Sequence, residues 1–211
     1  MAMKCKLIKV CGMREADNIR AVEALHPDWL GFICWPKSSR YVDEQPTYLP
    51  AATKRVGVFV NADLPFIMQK VLQLGLTHIQ LHGDETADFC REVSHTSDLP
   101  IIKAISVSCA DDITHAQAYE GIVDYLLFDT KCTCVGGSGK QFDWDVLQHY
   151  HGITPFLLSG GIGPGDEARL SDFQHPACVG IDVNSRFEDA PALKNIDKLA
   201  TFLQGCQKEP H

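Results

Sequence analysis

Short apolar runs recur along the chain at residues 7–10, 29–33, 56–60, 78–81, 101–106, 125–128, 155–158 and 179–183. They are rich in β-branched and other apolar side chains and alternate with longer stretches of helical period, the pattern of βα units around a parallel sheet. Eight such units are the number that closes a barrel. The intervening stretches carry helix punctuation. Asp63 stands where a cap precedes Leu64, with Pro65 in the first turn, and Val71, Leu72 and Gly75 suit an amphipathic helix with a glycine stop. Asp84 and Asp143 are placed to cap the fourth and sixth helices. An open doubly wound sheet is the competing architecture, but no Gly-x-Gly-x-x-Gly turn follows the first strand. The expected fold is a (βα)8 barrel.

Composition narrows the picture. A chain of 211 residues, 45% hydrophobic, buries a sizeable core and has the length of one domain, and no Gly/Ser/Pro-rich linker divides it, so residues 1–211 are read as a single domain. The formal net charge of −8 argues against nucleic acid as a partner, while leaving room for one small anionic ligand in a locally positive pocket. Only Leu7-Ile8 separates Lys6 from Lys9, which predicts no signal peptide, and no later stretch is apolar for long enough to span a bilayer. A cytoplasmic protein without a membrane partner is expected. Nine cysteines without a Cys-x-x-Cys pair fit a reducing compartment better than a disulfide framework or a zinc site, and Cys132 and Cys134 lack a second ligand pair.

In such a barrel the C-terminal ends of the strands carry the chemistry. The runs at 155–158 and 179–183 stop at Ser159-Gly160-Gly161 and Asn184-Ser185. Gly and Ser there leave backbone N–H groups unshielded, a surface that holds a phosphate dianion, and two such stops on neighbouring strands predict one phosphate cup. Cys11-Gly12 ends the first strand, Arg40 follows the second through Pro36-Lys37-Ser38-Ser39, Gln80-Leu81-His82-Gly83 ends the fourth, and Asp129-Thr130 ends the sixth. Asp182 lies in the eighth. A base or nucleophile, an acid, a guanidinium and a phosphate site thus meet at one face. The plainer readings are a buried Cys11 acting as a small hydrophobe, Asp129 and Asp182 capping helices or paired with Lys103, a structural His82 bonded within its loop, surface positions for His149 and His151, and core packing for Phe142 and Trp144.

The segments Lys9-Val10-Cys11-Gly12-Met13, Gly31-Phe32, Pro36-Lys37-Ser38-Ser39-Arg40-Tyr41, Val56-Gly57-Val58-Phe59-Val60-Asn61, Gln80-Leu81-His82-Gly83, Asp129-Thr130, Gly136-Gly137-Ser138-Gly139, Phe142-Asp143-Trp144 and Leu158-Ser159-Gly160-Gly161-Ile162 stand in the same order in one family. Nearly end to end, the chain resembles the phosphoribosylanthranilate isomerases. The resemblance implies an Amadori rearrangement of N-(5′-phosphoribosyl)anthranilate to 1-(2-carboxyphenylamino)-1-deoxyribulose 5-phosphate, a step of tryptophan biosynthesis, with no cofactor and no metal. It implies Asp129 as the general acid that protonates the furanose ring oxygen and Cys11 as the general base that takes the C2′ proton. It also implies Arg40 on the anthranilate carboxylate, Asp182 on the ribose hydroxyls, and Ser159, Gly160, Gly161, Asn184 and Ser185 around the phosphate, with Gly137 and Ser138 closing over it. His82 is a possible wall of the site.

Acid and base make opposite demands. An ordinary thiol, with a pKa of about 8.5, is mostly neutral at pH 7, so a cation is expected beside Cys11, and Lys9 shares its strand face. Asp129 must hold a proton near neutral pH, which burial or the neighbouring Asp182 carboxylate would favour. The chain departs from the family after Ser185. Members commonly continue Ser-Gly-Val-Glu and then Pro-Gly-Lys-Lys-Asp, whereas here the sequence reads Arg186-Phe187-Glu188 and Pro191-Ala192-Leu193-Lys194-Asn195. If that glycine position requires positive φ, Arg186 strains the eighth loop; alternatively its side chain reaches the phosphate. A related histidine-pathway isomerase would show a second phosphate cup and an acid on the first strand. A barrel that binds a sugar phosphate without turnover is the non-catalytic alternative. The expected partner is the small-molecule substrate, and the expected assembly is a monomer or homodimer.

Overall fold

Strands whose side chains are buried on both faces have no wet side to alternate with, and such runs pair in parallel under a cover of helices. In the computed structural model, which describes residues 7–130 and 144–207, they close a barrel. The strands are β1 (Leu7–Cys11), β2 (Trp29–Ile33), β3 (Lys54–Phe59), β4 (His78–Leu81), β5 (Ile101–Val107), β6 (Tyr125–Thr130), β7 (Phe156–Ser159) and β8 (Cys178–Val183). Each pairs in parallel with the next, and β8 returns to β1. The expectations at Cys132, Cys134, Gly136, Gly137, Ser138, Gly139, Phe142 and Asp143 lie outside the described residues.

The helices are α1 (Ala16–Glu23), α2 (Leu64–Leu74), α3 (Ala87–Ser97), α4 (Ala110–Ile113), α5 (Glu167–Asp172) and α6 (Ile196–Gln207). The reading of α2 holds at both ends. The Asp63 carboxylate accepts from the Phe66 N–H at 2.9 Å, and Gly75 takes the left-handed conformation at φ 53°. At α3 the expectation is corrected: the cap is Thr86, accepting from the Phe89 N–H, and not Asp84. The intervening Glu85 carboxylate accepts from the Asn61 and Gly83 N–H groups and from Lys103, and the helix begins only after Thr86. A second correction concerns the β2–β3 connection, which contains no helix. It carries Pro36, Pro46 and Pro50, and is tied down by the Lys70 ammonium, which donates to the carbonyls of Val42 and Asp43.

One apolar cluster fills the space between barrel and helices, and a smaller one, with Trp29, Val56, Ile102, Ala104, Leu127 and Leu157, fills the barrel interior. Register decides what lies inside. Lys9 pairs with Trp29 and Asp182, Cys11 with Gly31, and Asp129 with Ser159, so the inward face of the strands changes from apolar to polar toward their C-terminal ends.

Candidate active site

Lys9 is buried completely and its ammonium lies 2.8 Å from Asp182 Oδ1 across the β1–β8 seam. The other oxygen, Oδ2, accepts from the Ser159 hydroxyl of β7 at 3.0 Å. Asp182 is therefore an ion-paired carboxylate held by two strands, not a bare charge beside Asp129, and Ser159 turns its hydroxyl to Asp182. The alternative pairing with Lys103 is not formed. That ammonium points outward to Glu85 at 3.0 Å and to the Gly83 carbonyl at 2.6 Å.

Cys11 is buried at the mouth beside Gly31, whose missing side chain makes room for it. A Cβ on Gly31 would lie 2.7 Å from the Cys11 sulfur. Burial raises the thiol pKa, and although Lys9 and Lys194 pull the other way they do not overcome it. This corrects the expectation of a stabilised thiolate: the cations soften a cost that desolvation imposes without overcoming it. The charge of Lys9 is directed mainly at Asp182.

Asp129 is half-buried and faces the same cavity. The His82 Nε2 stands 3.4 Å from Asp129 Oδ2, and the His82 Nδ1 accepts from the Gln80 side-chain amide at 2.9 Å. Gln80 thus sets the ring so that its remaining N–H faces the carboxylate. His82 is a wall residue with a direct line to Asp129.

The cavity, about 200 Å³, is lined by Cys11, Asp129, Asp182 and His82 together with Ser159, Gly160, Gly161, Asn184, Ser185 and Arg186. The thiol, the carboxylic acid and both halves of the proposed phosphate cup are thus brought together. Gly160 and Gly161 adopt φ 94° and 68°, and a short 3-10 turn at Ser185–Phe187 forms the opposite lip. Arg186 lies in that turn without positive φ, so the strain expected there is absent; Ala192 instead takes φ 67°. A larger groove of about 500 Å³, lined by Ala110, Asp111, His149 and His151 among others, lies on the flank and gathers none of the expected residues.

Arg40 is not among the residues that line the cavity; it packs against Gly12, next to Cys11. A Cβ on Gly12, which has φ 79°, would meet Asn184 Oδ1 at 2.6 Å, Arg40 Cδ at 2.9 Å and Lys194 Nζ at 3.2 Å. The Arg40 guanidinium is engaged by Glu188, which also receives Lys194 at 2.5 Å; Lys194 donates further to Asn184 Oδ1 at 2.9 Å. Burial opposes the charge on Glu188, yet the two cations hold its carboxyl below the ordinary range. Burial also pulls Lys194 below its ordinary value despite Glu188. Glu188 and Lys194 were not singled out from sequence. The signal was a Pro191-Ala192 turn between them, because a hairpin of β9 (Glu188–Ala190) and β10 (Leu193–Lys194) sets the two opposite each other.

The profile described as N-(5′-phosphoribosyl)anthranilate (PRA) isomerase matches residues 8–205. The protein of that name from Phocaeicola vulgatus is 51% identical over 203 residues, covering 96% of this chain and 98% of its own. Its counterpart from Parabacteroides distasonis is 47% identical over 204 residues, covering 94% and 92%. A phosphoribosyl anthranilate isomerase crystallised in complex with reduced 1-(o-carboxyphenylamino)-1-deoxyribulose 5-phosphate superposes with a TM-score of 0.79 at 28% identity, over 95% of this chain and 98% of that one.

Proposed function

The chain belongs to the N-(5′-phosphoribosyl)anthranilate isomerase family, and we propose that Cys11 is the general base and Asp129 the general acid of its reaction. The reaction is the Amadori rearrangement of N-(5′-phosphoribosyl)anthranilate to 1-(2-carboxyphenylamino)-1-deoxyribulose 5-phosphate in tryptophan biosynthesis. The observation that carries the assignment of roles is that the Cys11 thiol and the Asp129 carboxyl line one cavity with Ser159-Gly160-Gly161 and Asn184-Ser185.

Asp129 gives its proton to the ring oxygen, the C1′–O bond breaks, and an iminium forms between C1′ and the anthranilate nitrogen. That cation acidifies the C2′ hydrogen, which the thiolate form of Cys11 removes. The resulting enolamine takes a proton at C1′ from the Cys11 thiol while its C2′ hydroxyl returns one to Asp129 as the ketone forms, so acid and base are both restored and no external electrons are needed. The iminium also answers the electrostatic problem of the buried thiol, because positive charge arrives opposite the sulfur when the base is required. Asp182, fixed by Lys9 and Ser159, holds the ribose hydroxyls. Arg40 receives the anthranilate carboxylate through the donors that Glu188 leaves open. The phosphate sits among Gly160, Gly161, Asn184 and Ser185, with the Ser159 backbone at its edge; Gly137 and Ser138, outside the described residues, belong to the same reading.

The remaining features of the reading are a single domain over 1–211, a cytoplasmic enzyme, no nucleic-acid partner, and a monomer or homodimer. The β1–β8 closure, which pairs residues 7–10 with 180–183 in one barrel, the net charge of −8 and the lack, among the described residues, of a helix long and apolar enough to cross a membrane support it. The test is turnover of freshly generated N-(5′-phosphoribosyl)anthranilate, followed by loss of its fluorescence. Cys11→Ala and Asp129→Asn are each expected to lower kcat by at least about a hundredfold. Activity of either variant near that of the parent would remove it from the mechanism.

A further inference from the structure

We propose that Arg186 is a phosphate ligand, its guanidinium closing the cup from the eighth-loop side and setting the affinity for the phosphorylated substrate. The inference rests on the sugar-phosphate reading above and adds a side-chain cation to a cup otherwise read as backbone and small residues. Arg186 lines the cavity together with Gly160, Gly161, Asn184 and Ser185. Its side chain lies across the end of the seventh loop: a Cβ on Gly163 would be 3.0 Å from Arg186 Cβ, 3.1 Å from its Nε and 3.3 Å from its Cγ. The absence of a side chain at Gly163 is what lets the arginine lie there.

Charge points the same way. The cavity wall carries the carboxylates of Asp129 and Asp182, and a phosphate dianion entering beside them needs a counter-charge. Lys9 is committed to Asp182, while Lys194 and Arg40 are committed to Glu188. Arg186 has no ion-pair partner among the described residues, and Glu188, two positions on, is already occupied by its two cations. A planar, permanently charged fork at the lip, backed by Gly163, matches the geometry of a phosphoryl group. Its exposure places it at the entrance, where it draws the anion in without having to be buried itself.

The experiment compares the parent with Arg186→Gln, Arg186→Lys, Gly163→Ala and, as a control on a remote surface arginine, Arg91→Gln. Two quantities are read: KM and kcat for N-(5′-phosphoribosyl)anthranilate, and the affinity for inorganic phosphate by calorimetry. Arg186→Gln is expected to raise KM and weaken phosphate binding about tenfold each, with kcat within about twofold and a flatter dependence of KM on ionic strength. Arg186→Lys should fall between, Gly163→Ala should shift both quantities in the same direction by displacing the side chain, and Arg91→Gln should match the parent. KM and phosphate affinity unchanged in Arg186→Gln would overturn the proposal. The phosphate arm separates the two levels of inference. A parent that fails to turn over the substrate but binds phosphate through Arg186 removes the isomerase chemistry and keeps the ligand, whereas a parent that binds no phosphate removes the cup and the arginine's role with it.

Discussion

Arg40 and Glu188 meet fork to fork, with Nε 3.0 and 2.9 Å from the two carboxylate oxygens and Nη2 2.6 Å from one of them. The arginine read as the anthranilate clamp thus already carries a carboxylate, and that carboxylate is buried. The contact fixes the plane of the guanidinium and leaves its other edge unengaged by Glu188, the edge the proposed clamp would use. The same carboxylate neutralises Lys194, which stands over Gly12 beside Cys11, so one acid from the eighth loop organises both the clamp and a cation near the thiol.

Glu188→Gln is therefore expected to leave a buried ammonium without its counter-charge and to lower the unfolding free energy by about 3 kcal/mol at pH 7. The pH dependence follows from the sign of the shift. Burial disfavours the charged carboxylate, but Arg40 and Lys194 overcome it and the folded pKa is depressed. Such a group stabilises fully above its unfolded value of about 4.3 and loses that contribution as pH falls through the lower folded value. Urea denaturation of parent and variant should converge in acid. A stability gap that stays constant from neutral pH down to strong acid would contradict this account.

The raised pKa of Cys11 predicts how the enzyme responds to alkali. A base works in its deprotonated form, so if Cys11 has the role proposed for it, the burial that favours its neutral thiol over Lys9 and Lys194 limits the rate. The value of kcat/KM, which reports the free enzyme, should climb with pH and continue climbing beyond about 8.5, the ordinary thiol value. Alkylation of Cys11 by iodoacetamide should follow the same curve. A kcat/KM already flat between pH 6 and 8 would show that the thiolate is formed in the free enzyme.

The differences between what sequence predicts and what the structure contains have a common origin. Strand positions were legible because runs buried on both faces leave little choice of register or partner, and α2 was legible because Asp63 and Gly75 act on their own neighbours. The cap of α3 was not, because Glu85 draws on Asn61 and Lys103 from other elements and delays the helix to Thr86. Cys11, Asp129 and the Gly-Ser stops could be gathered at one mouth from strand ends alone. The sign of the thiol shift could not, since it depends on how much water the folded barrel removes. Glu188 and Lys194 required the pairing of β9 with β10, a contact that only the hairpin makes.

Gly31→Ala tests how tightly the barrel positions the thiol. Gly31 pairs with Cys11 in register, and a methyl there would sit 2.7 Å from the sulfur and 3.0 Å from the Cys11 Cα. The sulfur can rotate away, but the backbone contact forces β1 and β2 apart as well. The expected cost is about 1–3 kcal/mol of stability together with a loss of kcat of tenfold or more, because the base proposed at Cys11 would be displaced from C2′ by a fraction of an ångström. Retention of full kcat with only a lowered melting temperature would mean that the position of the sulfur is not critical.

Lys9 and Asp182 offer a test of whether a buried ion pair holds this site together. Lys9 is fully enclosed, and Asp182 has the Ser159 hydroxyl as its second anchor. Lys9→Met leaves Asp182 facing the barrel interior without its cation and should cost about 3–5 kcal/mol, the usual penalty for breaking rather than replacing a buried pair. Adding Asp182→Asn removes the stranded charge, so the double variant should recover a large part of that loss, with a coupling energy above about 1 kcal/mol. Burial by itself would lower the Lys9 pKa, but the Asp182 carboxylate and the Cys11 sulfur outweigh it and raise it above its ordinary value. Its contribution is therefore complete below about 10.4 and disappears as pH rises through the folded value, so only the parent should show a stability loss from this group in strong alkali. Additive losses in the double variant would mean that the two residues act independently, and the reading of Asp182 as a carboxylate held in place by Lys9 would fail.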